Sequence, residues 1–174
     1  MKEKELLNQN EKFYFSVQEN PEKKSMLSRL AKKQSPKTLV VCCSDSRVIP
    51  EEIFSSSFGE IFVIRTAGNV INEGELGSLE YGIEHLHVDA VVVLGHSHCG
   101  AVHACIHKEQ GQYLSPILSR INKNICGLED ELLASKLNAS NEAKFIKEMF
   151  PSYKGEIIPM FYDIESGKVE LILK

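Results

Sequence analysis

Long apolar runs and export signals are missing from this sequence of 174 residues. Its longest hydrophobic stretches, such as DAVVVLG at 89–95, are too short to span a bilayer, so no membrane segment is expected. The charged start at 1–13 lacks the apolar region of a secretory signal, which predicts a cytoplasmic protein. Basic residues are not in excess, since the net charge is -4, and no nucleic-acid-binding motif occurs. Binding to nucleic acid is therefore not expected.

Internal repeats, low-complexity tracts and Pro- or Gly-rich linkers are also missing. With 43% hydrophobic and 25% charged residues, the chain has the composition of one soluble globular domain. We expect a single domain at 1–174, in which 1–33 form an N-terminal helical arm and 34–174 form an α/β core. The arm is predicted to break at Asn20-Pro21, because proline suits the first turn of a second helix.

Apolar, β-branched runs alternate with amphipathic stretches through the middle of the chain. This alternation predicts an α/β fold with a mostly parallel β-sheet, flanked by helices on both faces. A Ser-Gly turn joins the last two runs as a hairpin, which adds an antiparallel C-terminal edge strand. The predicted strands are 38–43, 60–65, 89–95, 156–164 and 169–174. The predicted helices are 50–54, 75–86, about 100–108 and 114–150, the last with a break near Cys126.

Cysteine occurs five times, and this odd number does not suggest a disulfide framework in a chain without an export signal. The Cys-x-x-Cys motif of a redox pair is absent. The thiols are therefore reduced core residues, metal ligands or nucleophiles, and their positions must distinguish these roles. Alternation along the first strand turns Cys42 to the face opposite Cys43, which predicts a core thiol. Cys105 and Cys126 are expected to be core or near-surface thiols.

Two predicted strands end in reactive residues, in VVCCSDSR at 40–47 and VVVLGHSHCG at 91–100. Adjacent parallel strands bring such ends to one edge of the sheet, where ligands bind. His96 and Cys99 are spaced to bind one metal ion, and Cys43 can supply a second thiolate. Two cysteines and one histidine suit zinc, and three protein ligands are typical of a catalytic site. The spacing alone leaves open that these are ordinary residues at the start of a helix.

Asp45 and Arg47 follow the first of these strands. Because they are two residues apart in an extended segment, their side chains lie on the same side. Arg47 can hold Asp45 as a carboxylate, which accepts hydrogen bonds and can orient a water molecule at the metal. A purely structural ion pair is the alternative.

The two motifs together resemble those of the β-class carbonic anhydrases. They are CSDSR at 43–47 and HSHCG at 96–100. Three further segments are similar to that family as well, namely GEIFVIRTAGN at 59–69, GSLEYGIEHL at 77–86 and YDIESGKVEL at 162–171. This combination of motifs on these strands is highly specific.

The resemblance implies one Zn²⁺ ion per subunit, with Cys43, His96 and Cys99 as ligands. It implies that Asp45 and Arg47 form the catalytic pair beside the metal. The activity it implies is reversible hydration of carbon dioxide to bicarbonate and a proton, by attack of zinc-bound hydroxide.

A small substrate pocket is also implied by the resemblance, with Gln34 as the hydrogen-bond donor to the substrate. Its other expected residues are the lining side chains Phe62, Ala67 and Tyr81 and the tight backbone positions Gly68 and Gly100. In this family the pocket often completes across a dimer interface. The expected assembly is therefore a homodimer or homotetramer.

Several alternatives stay open at the level of sequence. Relatives with this fold hydrolyse carbonyl sulfide or carbon disulfide, and a non-catalytic zinc-binding or redox-sensing module is a third possibility. Asp45 can bind zinc directly in some family members, which closes the site. Residues 109–155 follow no traceable family pattern, and His98 inherits no role from the family.

Overall fold

The computed structural model describes residues 2–173, which form two compact units divided between Gln34 and Ser35. The assignment of 1–174 to one domain stays a prediction. Along the described residues, no helix combines the length and apolar character needed to cross a lipid bilayer.

The first unit consists of two helices, α1 (Glu3–Gln18) and α2 (Pro21–Leu30). Asn20 separates them, because its side chain accepts a hydrogen bond from the backbone N–H of Lys23 at 2.9 Å and so caps α2. Pro21 takes the first helical position, where a backbone N–H has no partner within the helix. The break predicted at Asn20-Pro21 is confirmed.

The second unit is built on a five-stranded sheet in the order β2-β1-β3-β4-β5. All neighbouring strands are parallel except the last pair, β4 and β5, which is antiparallel. The strands are β1 (Thr38–Cys43), β2 (Ile61–Thr66), β3 (Ala90–His96), β4 (Glu156–Tyr162) and β5 (Val169–Leu171). The predicted fold class is confirmed. The last strand is shorter than predicted, and Lys174 lies outside the described residues.

Five helices accompany this sheet within the described residues. They are α3 (Pro50–Ile53), α4 (Glu73–Glu80), α5 (Gly100–Ile106), α6 (Ser115–Ile125) and α7 (Glu131–Met149). Cys126 has the left-handed conformation that ends α6, so the break predicted near it is confirmed. The structure differs from the single helix predicted at 75–86, because α4 ends at Glu80 and a π-helical turn continues it.

Alternation along β1 divides its side chains between two faces of the sheet. Leu39 and Val41 pack with side chains of α4 and α7. Val40 and Cys42 face the opposite side, where they form a separate apolar cluster. Cys43 packs instead among side chains of α5 and α6. The two adjacent cysteines therefore point to opposite faces, and Cys42 is a core thiol as predicted.

Candidate metal centre

Three potential metal ligands converge at the carboxyl ends of β1 and β3. Cys43 is the last residue of β1 and His96 the last residue of β3, and these strands are direct neighbours in the sheet. A short turn then brings Cys99 back to the same edge as the residue preceding α5. The Sγ atoms of both cysteines and a ring nitrogen of His96 all lie within 4.8 Å of one another. The predicted convergence of these residues is thus present.

The imidazole of His96 is oriented by its own backbone neighbour. Its Nδ1 atom lies 2.9 Å from the carbonyl oxygen of Ser97, which can only accept a hydrogen bond. Nδ1 therefore carries the proton, and Nε2 keeps its lone pair. His96 is fully buried, and Nε2 has no hydrogen-bond partner among the described residues. Leaving such an atom unsatisfied costs about 1–3 kcal/mol, so this nitrogen is set up to bind something the protein itself does not provide.

The two thiols of the cluster have opposite acid–base character. A hydrogen bond from Cys99, together with one from the backbone N–H of Gly68, lowers the pKa of Cys43 to about 4. The same contact with Cys43, reinforced by burial, raises the pKa of Cys99. A metal ion that binds both sulfur atoms as thiolates would therefore release the proton of Cys99.

This donor set fits zinc. Two sulfur atoms and one imidazole nitrogen match the borderline-soft character of Zn²⁺, and a thiolate at Cys43 is the form that binds metal. A buried imidazole with a free lone pair is the second matching feature. Metal-binding histidines typically donate their other ring N–H to a carbonyl or carboxylate oxygen, as Nδ1 of His96 does to Ser97.

Asp45 and Arg47 form a bidentate ion pair beside the cluster. Nε of Arg47 lies 2.9 Å from Oδ1 of Asp45, and Nη2 lies 2.8 Å from Oδ2. Nη2 also donates to the backbone carbonyl of His98 at 3.1 Å, which ties the pair to the turn before Cys99. These hydrogen bonds from Arg47 hold the pKa of Asp45 well below its usual range. The carboxylate is not a member of the Cys43–His96–Cys99 cluster.

Ala67 and Gly68 lie next to the cluster, and their role in a substrate pocket stays a prediction. They follow β2 in a 3₁₀ turn, and the N–H of Gly68 donates to Sγ of Cys43 at 3.2 Å. Gly68 is a tight position, because a Cβ atom there would lie 2.9 Å from Cδ1 of Ile121. The expected crowding at Gly100 is wrong, since a Cβ atom at that residue would meet nothing within 4 Å.

Phe62 and Tyr81 lie close together, and Phe62 lies away from the cluster of its own chain. Their ring centroids are 6.1 Å apart. Phe62 pairs with Leu39, whereas Cys43 pairs with Thr66 four residues farther along the strand. At 3.3 Å per residue this separates Phe62 from the cluster by about 13 Å along the sheet.

Gln34 is the last residue of the first unit and is exposed. Its contact with substrate stays a prediction. His98 is exposed as well, with its Nε2 atom 3.2 Å from a carboxylate oxygen of Glu165.

A buried polar network behind Gly68 was missed at the level of sequence. Asn138 donates to the carbonyl of Gly68 at 2.8 Å, and Asn124 donates both to Asn138 at 2.9 Å and to Glu142 at 2.7 Å. Arg120 closes the network with two hydrogen bonds to Glu142, at 2.8 and 2.9 Å. The available signal was the four-residue spacing of Asn138 and Glu142 on α7, among apolar residues of the same helix face.

Comparisons with known proteins agree with this arrangement. A family model described as carbonic anhydrase matches residues 38–149. A carbonic anhydrase of Synechococcus elongatus is 34% identical over 182 residues, which cover 90% of this chain and 67% of that protein. The solved β-carbonic anhydrase CcaA is similar with a TM-score of 0.76 and 29% identity, over 95% of this chain and 92% of that one. A tetrameric β-carbonic anhydrase of Sordaria macrospora shares the fold, with a TM-score of 0.81 and 24% identity over 95% of this chain and 93% of that one.

The extent of the family match corrects one expectation. No family pattern is traceable in residues 109–155 from the sequence alone, yet the matched region continues through residue 149. It therefore includes all of α6 and α7, which contribute the buried network behind Gly68. A helical segment without a distinctive motif is hard to assign to a family from one sequence, because apolar residues can exchange within a packed core.

Proposed function

Because this chain belongs to the β-carbonic anhydrase family, we propose that it catalyses the reversible hydration of carbon dioxide to bicarbonate and a proton. The observation that carries this proposal is the buried cluster of Cys43, His96 and Cys99 beside the Asp45–Arg47 pair. A purely structural metal site has no need for an ion pair of this kind, so the pair favours an enzyme over a non-catalytic zinc-binding or redox-sensing module.

Cys43, His96 and Cys99 would hold one zinc ion per subunit. The lone pair on Nε2 of His96 and the low pKa of Cys43 support this assignment. When bound, zinc would supply a Lewis-acidic centre that lowers the pKa of water. Three protein ligands are the number that catalytic zinc sites use.

Asp45 acts as a fixed hydrogen-bond acceptor at this site. Its bidentate pairing with Arg47 keeps it ionised, and an ionised carboxylate can only accept hydrogen bonds. Asp45 therefore orients the reacting water by accepting a hydrogen bond from it. Both carboxylate oxygens are engaged by Arg47, which supports the open form of the site over the form in which Asp45 binds the metal.

Carbon dioxide is apolar, so the pocket around the metal should be small and largely apolar. Ala67, Gly68 and Gly100 would form its near wall, and Gln34 would donate a hydrogen bond to the substrate oxygen as negative charge develops. Phe62 lies too far along the sheet to serve the cluster of its own chain, and Tyr81 packs beside Phe62.

A second copy of the chain would supply Phe62 and Tyr81, which favours a homodimer or homotetramer. Large apolar side chains on α1 are exposed and need a covering partner, namely Leu6, Leu7 and Phe15. All five cysteines are free, as is typical of a reducing compartment, which supports the predicted cytoplasmic location.

Stopped-flow hydration of carbon dioxide, combined with measurement of zinc content, tests the proposal. Asp45→Asn should keep its zinc and lose activity by about 10- to 100-fold, because the amide offers donor hydrogens where an acceptor is required. Asp89→Asn is the matched control, since Asp89 is an exposed carboxylate paired with Lys37 at 3.6 Å. Zinc-loaded wild-type protein without hydration activity would refute the proposal. Parallel assays with carbonyl sulfide and carbon disulfide identify the preferred substrate.

A further inference from the structure

A second group of metal-binding side chains lies on the surface of the second unit, apart from the buried cluster. His103, His107 and Glu131 each place a donor atom within 4.8 Å of the others. Nδ1 of His103 lies 2.6 Å from Oε1 of Glu131, and Nε2 of His107 lies 4.0 Å from the same oxygen. Their side chains are 50%, 56% and 40% exposed, so an ion can reach them from solvent.

Local sequence explains why these three side chains meet. His103 and His107 are four residues apart, at the end of α5, and so project from one side of the helix. Their ring centroids are 4.1 Å apart. Glu131 is the first residue of α7, whose start is fixed by Asp130 through a side-chain hydrogen bond to the backbone N–H of Leu133 at 2.9 Å. The carboxylate is therefore held next to both imidazoles by a capped helix.

We propose that His103, His107 and Glu131 form a second binding site for a divalent transition-metal ion. Two imidazoles and one carboxylate, without sulfur, suit Zn²⁺, Cu²⁺ or Ni²⁺. The donors differ in kind from the thiolates of the buried cluster, so the two sites should differ in affinity and in metal preference. His103 already contacts the carboxylate and His107 lies 4.0 Å from the same oxygen, so rotations of these exposed side chains can close the three donors around an ion.

Occupation of this site would clamp the end of α5 to the start of α7. Both helices reach the buried cluster, because α5 begins directly after Cys99 and α7 carries Asn138, which contacts Gly68. A ligand that binds only the folded state raises its stability. The second ion is therefore expected to stabilise the folded unit that holds the first site.

Isothermal titration of the zinc-loaded protein with further Zn²⁺ tests this site. Wild-type protein should bind one additional equivalent, and the His103→Gln/His107→Gln double variant should lose it. Glu131→Gln should weaken this binding, whereas Glu129→Gln should not. Glu129 is the matched control, because it is an exposed glutamate two residues away that does not belong to the cluster.

Melting temperatures distinguish loss of metal binding in a variant from loss of its folded structure. Without added metal, His107→Gln should melt at the same temperature as the wild type, since His107 is an exposed residue following α5. When further Zn²⁺ is added to the zinc-loaded proteins, the wild type should gain in melting temperature and His107→Gln should not. Absence of an additional equivalent in the wild type, or its persistence in the double variant, would overturn the proposal. These readouts do not depend on carbon dioxide hydration.

Discussion

The backbone N–H of Gly68 donates a hydrogen bond to Sγ of Cys43 at 3.2 Å, while the carbonyl of the same glycine accepts one from Asn138 at 2.8 Å. A single residue thus connects a thiolate of the candidate metal centre to the buried network of α6 and α7. Its φ angle of 67° lies in the left-handed region, which glycine adopts without a steric penalty. The position of this N–H therefore depends on both the backbone conformation and the helices behind it.

Replacement of this glycine should damage both stability and metal binding. Gly68→Ala is expected to lower the free energy of unfolding by about 1–3 kcal/mol, because a residue with a side chain is strained at this φ angle. The new Cβ atom would also lie 2.9 Å from Cδ1 of Ile121 and 3.1 Å from Cβ of Ala101. Movement of the turn away from these atoms would weaken the hydrogen bond to Cys43. Urea denaturation of the zinc-free protein and the zinc content of the purified protein are the measurements.

Gly100→Ala is the matched control for this substitution. A Cβ atom at Gly100 would have no neighbour within 4 Å, and Gly100 is the first residue of α5. Alanine favours a helix over glycine by up to about 1 kcal/mol, so this variant should be as stable as the wild type or slightly more so. Equal losses of stability in the two variants would disprove the packing argument for Gly68.

The acidity of Asp45 should depend on Arg47. Hydrogen bonds from Arg47 lower the folded-state pKa of Asp45 below its unfolded value of about 3.9. The pair therefore stabilises the folded protein fully above that pH, and this contribution is lost as the pH falls through the lower, folded-state pKa. In Arg47→Gln the pKa of Asp45 should rise toward its ordinary value, which NMR titration of the side-chain carboxyl carbon can follow.

The exposed pair of Lys37 and Asp89 provides the control for this titration. Lys37→Gln removes a cation of similar charge at a remote site and should leave the titration of Asp45 unchanged. If Asp45 titrates at the same pH in the wild type and in Arg47→Gln, the ion pair does not govern its acidity.

The central strands β1 and β3 were predictable because they are buried on both faces and read as apolar, β-branched runs. The first strand has the predicted limits of 38–43, since polar residues follow directly at Ser44. The prediction of a helix at 75–86 was only partly right, because an apolar stripe identifies the buried face of a helix but not its hydrogen-bond pattern. Leu86 donates to the carbonyl of Tyr81, five residues earlier, and so forms the π-helical turn.

The site was predictable where strand ends carry chemically distinctive residues, as at Cys43 and His96. Asn138 and Glu142 carry only the weak signal of their four-residue spacing, because asparagine and glutamate on a helix usually face solvent. Their burial depends on how α6 and α7 pack, which is a tertiary property. The separation of Phe62 from the cluster likewise follows from strand register, and a local motif does not determine register between strands distant in sequence.

The ion pair of Arg120 and Glu142 should make a large and asymmetric contribution to stability. Glu142 is fully buried, whereas Arg120 is 16% exposed, so removal of the arginine leaves a carboxylate that cannot reach water. Arg120→Met should therefore lower the free energy of unfolding by about 3–5 kcal/mol. The double variant Arg120→Met/Glu142→Leu should recover part of this loss, because an apolar pair avoids the cost of an unpaired buried charge. Urea denaturation of the zinc-free variants provides the comparison, and a double variant less stable than Arg120→Met would show that the buried carboxylate is stabilised by the network without its arginine.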